Sequence, residues 1–455
     1  MPNGGLTAAS VTVSGIRSGM IGQAFAGLAY EKVMLTESTF SASNSELIGL
    51  FRRLGPSVLR IGGSSVDRHV WTPGGHGRTP GQIAPPDVDS LAAFVKAAGW
   101  QCIYGINLGG AATGATSPAL AAAEVAYAAQ QFGASLLGVE IGNECDWYGS
   151  TGSFFPGHWS LAQFESLWNQ YRSAILQVSP SVAMVGPGSG NNESTWTQPF
   201  AESERNGGIS LLTQHYYRGS GATPGLTAES LVASDPALIA NLASLQAAAQ
   251  AAGIPYRIDE CNSYYSGGAY GISDSYASSL WVVDFLFNLA AGGASGANLQ
   301  GGDHSLGYTP IADNSGVVIG PRPLYYGMLF FTLAGQGTVY ETVVAAGSLN
   351  VTAYSVKRTD GGWNVVIVNK DKTSNLQVTV SLPGQVNSAT LLAMTQLSAG
   401  AITPSLSATD GVSIQGASVN TDGTFAPSAA YTLATSGPLV ACYVPALTAV
   451  LIQTS

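Results

Sequence analysis

Between Gly22 and Gly335, short apolar runs rich in Val, Ile, Leu and Tyr alternate with helix-like runs eight times over. GQAFAGLAYE precedes SELIGLFRRLG, SVLRIGG precedes PPDVDSLAAFVKAAGW, and CIYGINLGG precedes PALAAAEVAYAAQQFG. LLGVEIGNE, VAMVGPG, ISLLTQHYY, PYRIDE and GANLQ each lead into a further helix-like run. Strict alternation of this kind calls for parallel strands joined by helical crossovers. Eight repeats is the number that closes such a sheet into a (β/α)8 TIM barrel. A doubly wound open sheet is the alternative, but no GxGxxG opens a helix. Prolines and acids in a first helical turn, as in PPDVD, and glycines just past a last turn mark the boundaries.

After Gly335 the pattern changes to short alternating runs such as SLNVTAYSVKRT, GGWNVVIVNKD, SNLQVTVSLPG and LTAVLIQTS, separated by Gly, Asn, Asp and Pro turns. That is the signature of an antiparallel β-sandwich. The N-terminal AASVTVSG alternates too, and a lone strand is not stable by itself. The expected organisation is therefore an α/β chain in three parts. Residues 1–17 lend a strand to the sandwich, 18–336 form the (β/α)8 barrel, and 337–455 form the C-terminal antiparallel β-sandwich.

Charged residues make up only 10% of the chain, against about 25% in ordinary globular proteins. Gly, Ala, Ser and Thr take their place, a surface style common in secreted proteins. The net charge of −10 and the lack of a basic run argue against nucleic-acid binding. No apolar stretch reaches the ~18–20 residues of a membrane span. MPNGGLTAAS has neither a basic nor an apolar leader region. A secreted or periplasmic protein whose leader has been replaced is the expectation, with a cytoplasmic one as the alternative; a monomer is expected. Cys102, Cys145, Cys261 and Cys442 are scattered, with no CxxC and no histidines at ligand spacing. They read as small buried hydrophobes rather than as disulfides or metal ligands. No metal or cofactor is called for.

Two apolar runs stop at a glutamate, VEIGNE at Glu144 and YRIDE at Glu260. A carboxylate at the C-terminal end of a parallel strand faces the crevice where barrels of this type do their chemistry. Taken singly, each reads as well as a strand-end ion-pair partner. As a pair on different strands they are what glycosidic bond cleavage needs. In a retaining mechanism the first must hold a proton near neutral pH, and a partly apolar site beside a second carboxylate is expected to raise its pKa. Asn143 in G-N-E is placed to hydrogen-bond a sugar 2-hydroxyl.

VLRIGGSSVD, VEIGNE, QHYY, IDE with Tyr265 five residues on, and LGYTP together resemble glycoside hydrolase family 79, the heparanases and β-glucuronidases. The matching segments run from Glu31 to Tyr308. The resemblance implies a retaining two-glutamate mechanism with Glu144 as acid/base and Glu260 as nucleophile. It matches Glu31 to an acidic residue that binds ring hydroxyls, and Tyr217 to a tyrosine that hydrogen-bonds the nucleophile. Arg60, an arginine inside a barrel, must be paired, and is expected to orient Glu260 or Glu140. His215 at the end of the sixth strand reads either as a substrate contact or as a satisfied core histidine.

A uronate carboxylate needs donors, which tyrosine hydroxyls and the backbone of a glycine-rich loop supply where cations are scarce. Tyr265, Gly267 and Tyr308 match the family positions that hold the glucuronate carboxylate. Two departures matter: no basic stretches flank the cleft, as a highly sulfated polymer would require, and Ser266 stands where some relatives have glycine. The resulting expectation is an exo-acting β-glucuronidase on a carbohydrate substrate, a glycan or glycoside of low charge. A retaining β-glycosidase for neutral sugars and a non-catalytic carbohydrate-binding protein are the other readings.

Overall fold

The computed structural model describes residues 6–302 and 307–455. Met1–Gly5, at the expected leader position, and Leu306 of LGYTP lie outside the described residues. The eight apolar runs form a closed parallel barrel. Its strands in chain order are Ala26–Glu31, Val58–Gly62, Gln101–Ile106, Leu136–Ile141, Met184–Ser189, Leu211–Tyr217, Tyr256–Asn262 and Ala297–Gln300. Each is followed by a helix that packs outside the barrel. Local signals set the helix ends: Pro85, Pro118, Pro236 and Pro323 open helices, where the missing N–H costs nothing. Asn44, Ser117, Ser160 and Asp235 accept from backbone N–H groups of the first turn. At the bottom of the barrel Arg257 is pinned by Asn298 Oδ1 and by the carbonyls of Ala24, Phe25 and Ala297. Burial lowers its pKa to about 10.

Of the remaining strands, four short ones pair as two two-stranded ribbons, Val70–Trp71 with Gln82–Ile83 and Ile311–Asn314 with Val317–Pro321, and eleven form one curled sheet. It curls over so that Val11 and Val13, Val378 and Val380, and Val440 and Val444 face Val365, Ile367, Leu391 and Ile452 in a shared apolar core. Leu6–Ile21 is the hinge of this arrangement, pairing antiparallel with Gly337–Ala345 and parallel with Asn375–Ser381. The strand Gly337–Ala345 carries no run singled out from the sequence. The other face of the sheet contributes Val366, Val368, Met394 and Leu451 to the main core around the barrel. This is why Trp363–Asn369 is buried along its whole length instead of alternating. The Tyr276 hydroxyl, at the start of the seventh barrel helix, donates to Leu447 and Met394 carbonyls of the sheet. All four cysteines are buried and free.

Neither glutamate is where a run simply ending in Glu would put it. The fourth strand stops at Ile141, and Glu144 follows on a turn with φ 48°. The seventh strand continues through Glu260 to Asn262. Its register shifts by one residue between Ile258 and Glu260 against the sixth strand, and again against the eighth. Arg257 and Asp259 share the inner face by the ordinary two-residue period, which alone would turn Glu260 outward. The extra residue re-aims the strand, so Asp259 and Glu260 both point into the barrel.

Candidate active site

Arg60, on the second strand, is wholly buried at the centre of the barrel mouth. Its Nε and Nη2 donate to Glu140 Oε2 at 2.9 and 2.7 Å, Nη2 also to Asn143 Oδ1 at 2.9 Å, and Nη1 to Glu260 Oε2 at 2.6 Å. Asp259 Oδ2 lies 3.3 Å from Nε. One guanidinium thus faces three carboxyl groups, more negative charge than it can balance. Burial, and then the Glu140 charge, push Asp259 well above the usual carboxylate range, which favours its neutral form. Glu140 moves the other way: burial opposes ionisation, but Arg60 holds it below its ordinary value. The Arg-I-Gly-Gly sequence makes the room. A Cβ at Gly62 would meet the Arg60 guanidinium at 2.4 Å, and one at Gly63 would meet the Glu31 carboxyl at 2.3 Å.

Glu260 is engaged at both oxygens, by Arg60 at Oε2 and by the Tyr217 hydroxyl, which donates to Oε1 at 2.8 Å. Glu144 lies opposite, its side chain 34% exposed, with Oε1 3.0 Å from His215 Nδ1. Its backbone N–H donates to the Gly188 carbonyl, which ties the turn to the fifth strand.

His215 corrects the expectation of a raised Glu144 pKa. Burial alone would lower the histidine, but the Glu260 charge and the Glu144 hydrogen bond, against Arg60, raise it to about 9. It is a cation at neutral pH. Burial raises Glu144 too, but the hydrogen bond and charge of His215, joined by Arg60, bring it below its ordinary value. The proton expected on Glu144 is therefore favoured on His215, which lies between the two glutamates.

Glu31 accepts from the backbone N–H groups of Ser64 at 3.1 Å and Ser65 at 2.8 Å. Burial and the Glu260 charge raise its pKa against those bonds. Asn143 is held by Arg60 and by its own N–H, which donates to Asp67 Oδ2 at 3.2 Å. Asp67 also accepts from Leu108 N, Gly109 N and the Tyr148 hydroxyl, so it joins the loops after three strands. Tyr308 is buried; its ring centroid is 6.2 Å from that of Tyr217, and its N–H donates to the Gly267 carbonyl at 3.1 Å. Tyr265 stands half-exposed at the rim, 6.4 Å from the Tyr217 ring and edge-on to it. Ser266 and Gly267 both adopt positive φ, 63° and 82°.

Every residue singled out from the sequence thus lies at or around one mouth of the barrel. Asp259 and Asp67 were missed. Asp67 stood inside the quoted VLRIGGSSVD, but nothing local marks it as an anchor. Asp259 was hidden by the pleat, which gives adjacent residues opposite faces. Among the described residues, Glu144, His215 and Glu260 present ligand atoms within 4.8 Å of one another, the spacing a metal ion would need. A cation there would have to displace the His215 proton and compete with Arg60 for Glu260.

No protein-family model matches the chain. It is 28% identical to a β-glucuronidase of Aspergillus niger over 254 residues, covering 50% of this chain and 46% of the relative. It is 26% identical to a β-glucuronidase of Neurospora crassa over 274 residues, covering 54% and 47%. The chain thus spans about half the length of these relatives. In fold it is similar to a 4-O-α-L-rhamnosyl-β-D-glucuronidase from Fusarium oxysporum, with TM-score 0.77, 20% identity and coverage of 98% and 100%. It is also similar to an arabinofuranosidase of family GH51 from Xanthomonas axonopodis pv. citri, with TM-score 0.69, 14% identity and coverage of 99% and 100%. The resemblance to family 79 drawn from the motifs agrees with these likenesses. Among the described residues no helix is long and apolar enough to cross a membrane.

Proposed function

We propose that this chain is a retaining glycoside hydrolase of the family-79 kind that removes terminal β-linked glucuronic acid from glycans or glycosides. Glu260 is the nucleophile and Glu144 the acid and base. The observation that carries the reading is the glutamate pair: one oxygen of each carboxylate within 4.8 Å of the other, one carboxylate ion-paired and buried, the other partly open to the cleft. A separation of about 5–5.5 Å suits a nucleophile, whereas an inverting pair needs about 6.5–9.5 Å to seat water between them. The two fungal β-glucuronidases support glucuronate as the sugar removed.

The charges order the steps. Arg60 and Tyr217 hold Glu260 with one oxygen lone pair toward the anomeric carbon. Sugar entering over Glu144 strips its water, which disfavours the carboxylate, and the His215 proton crosses the 3.0 Å to Oε1. Glu144 then gives that proton to the departing oxygen as Glu260 bonds to carbon. The ester so formed carries no charge, which removes the main influence that raised His215. The histidine stays neutral, and Glu144, again a carboxylate, takes a proton from the attacking water. The oxygen of that water bonds to the anomeric carbon as the bond from that carbon to Glu260 breaks. With Glu260 again a carboxylate, the proton returns to His215. Glu31 and Asn143 are placed for ring hydroxyls, while Tyr265, Tyr308 and the Gly267 backbone are the donors proposed for the uronate.

Hydrolysis of p-nitrophenyl β-D-glucuronide beside the glucoside, galactoside and xyloside tests the reading, with NMR of the first product. Preference for the glucuronide with a β-configured product is expected. A preference for a neutral glycoside would assign the neutral-sugar alternative, and an α-configured first product would overturn the retaining mechanism.

A further inference from the structure

We infer that Trp147 is a stacking platform for the leaving-group ring, and that this ring is an uncharged pyranose. The inference rests on Glu144 being the acid/base, because the departing oxygen must lie against that residue. Trp147 ends the short helical turn Cys145–Trp147 that follows Glu144. It is 47% exposed, whereas Trp71, Trp100, Trp168, Trp196, Trp281 and Trp363 are buried. A Cβ at Gly190 would lie 2.5 Å from Trp147 Nε1 and 3.1 Å from Glu144 Cδ. The indole and the carboxyl therefore sit side by side over one glycine, and the absence of a side chain there lets the indole approach.

The platform is held in place. Asp146 accepts from Gly190 N at 2.9 Å, Asn191 N at 3.2 Å and Asn192 Nδ2 at 2.9 Å, and Trp147 N–H donates to the Glu144 carbonyl at 2.9 Å. These bonds fix the backbone that carries the indole, so less freedom is lost when a ligand stacks on it.

The order of strands gives the direction. Glu31, Tyr217, Tyr265 and Tyr308 come from the first, sixth, seventh and eighth strands or the loops after them, and are the glycon side of the proposed site. Trp147 and Gly190 follow the fourth and fifth strands, across the barrel from the eighth and the first. A ring bonded to the departing oxygen therefore extends over the indole. The chemistry of the surroundings selects the ring. The loops after the fourth and fifth strands, residues 142–160 and 190–197, contain no Lys or Arg. Asp146 is an acid already spent on two backbone N–H groups and the Asn192 amide. An anionic or sulfated ring would find no counter-charge, while the C–H face of a neutral pyranose matches an indole face.

The test compares two substrates with the same glycon: β-D-glucuronosyl-(1→6)-D-galactose and β-D-glucuronyl fluoride, whose leaving group has no ring. In Trp147→Ala the ratio of kcat/KM for disaccharide to fluoride should fall at least tenfold, mainly through KM, and Trp147→Phe should recover most of it. Equal losses on both substrates would assign Trp147 a structural role in the Glu144 turn and overturn the inference, as would an unchanged ratio. If the wild-type protein cleaves β-D-glucosyl-(1→6)-D-glucose and β-D-glucosyl fluoride instead, the uronate reading fails, and the same ratio measured on that pair decides on Trp147. Cleavage of neither pair overturns both.

Discussion

His215 Nδ1 stands 3.0 Å from Glu144 Oε1 and 3.9 Å from Glu260 Oε1, so one buried imidazole reports on both glutamates. With its pKa raised to about 9, the folded protein keeps a proton that the unfolded chain loses above about 6.5. That stabilisation is complete below about 6.5 and is lost as pH rises toward 9. Denaturant unfolding should show a decline of about 3 kcal/mol over this window, and His215→Asn should flatten it. Equal slopes in the two proteins would show that His215 is neutral.

Asp259 and Glu260 are neighbours in sequence, and burial with the Glu140 charge favours the neutral form of Asp259. Asp259→Asn keeps the shape and neutrality of a protonated acid, and should cost about 1 kcal/mol or less of stability, the scale of one exchanged hydrogen bond. Glu260→Gln should abolish turnover while the fold persists. Equilibrium unfolding and steady-state rates on one activated glycoside check both. A large stability loss in Asp259→Asn would mean the aspartate is ionised.

Arg60→Met leaves Glu140 and Glu260 without their cation. Breaking a buried ion pair from one side costs about 3–5 kcal/mol, so the variant should unfold at much lower denaturant. Its His215 should titrate higher than in the wild type, since Arg60 opposes the imidazolium. NMR of the imidazole resolves this, and an unchanged pKa would separate the two groups electrostatically.

Tyr217→Phe removes the hydroxyl that donates to Glu260 Oε1. A hydrogen bond to a charged group is worth about 1.5–3 kcal/mol, so kcat/KM should fall roughly ten- to a hundredfold. The loss should fall on every substrate alike. Tyr308→Phe should instead weaken glucuronide hydrolysis more than glucoside hydrolysis, and parallel losses would remove Tyr308 from the uronate pocket.

The barrel was legible because its signals are local. Eight apolar runs, prolines at N1, glycines past the last turns and the change of period after Gly335 each concern a few adjacent residues. The glutamates, Arg60 and the tyrosines were legible because they lie near strand ends or in short motifs. What remained hidden depends on groups far apart in the chain. Arg60 meets Glu260 across 200 positions and Glu140 across 80, and burial together with the Glu140 charge raises Asp259 while Arg60 holds Glu140 down. The proton expected on Glu144 is favoured on His215 because charge balance is settled by everything within a few ångströms, whatever its place in the sequence. The strand Gly337–Ala345 and the curl of the eleven-stranded sheet are likewise settled by pairing partners, not by pattern. Glu260 shows the boundary most clearly. Its strand-end position in the sequence already aimed it at the crevice, and only the structure shows how. Strict alternation from Arg257 and Asp259 would turn it outward, and the one-residue register shift against both neighbouring strands turns it in.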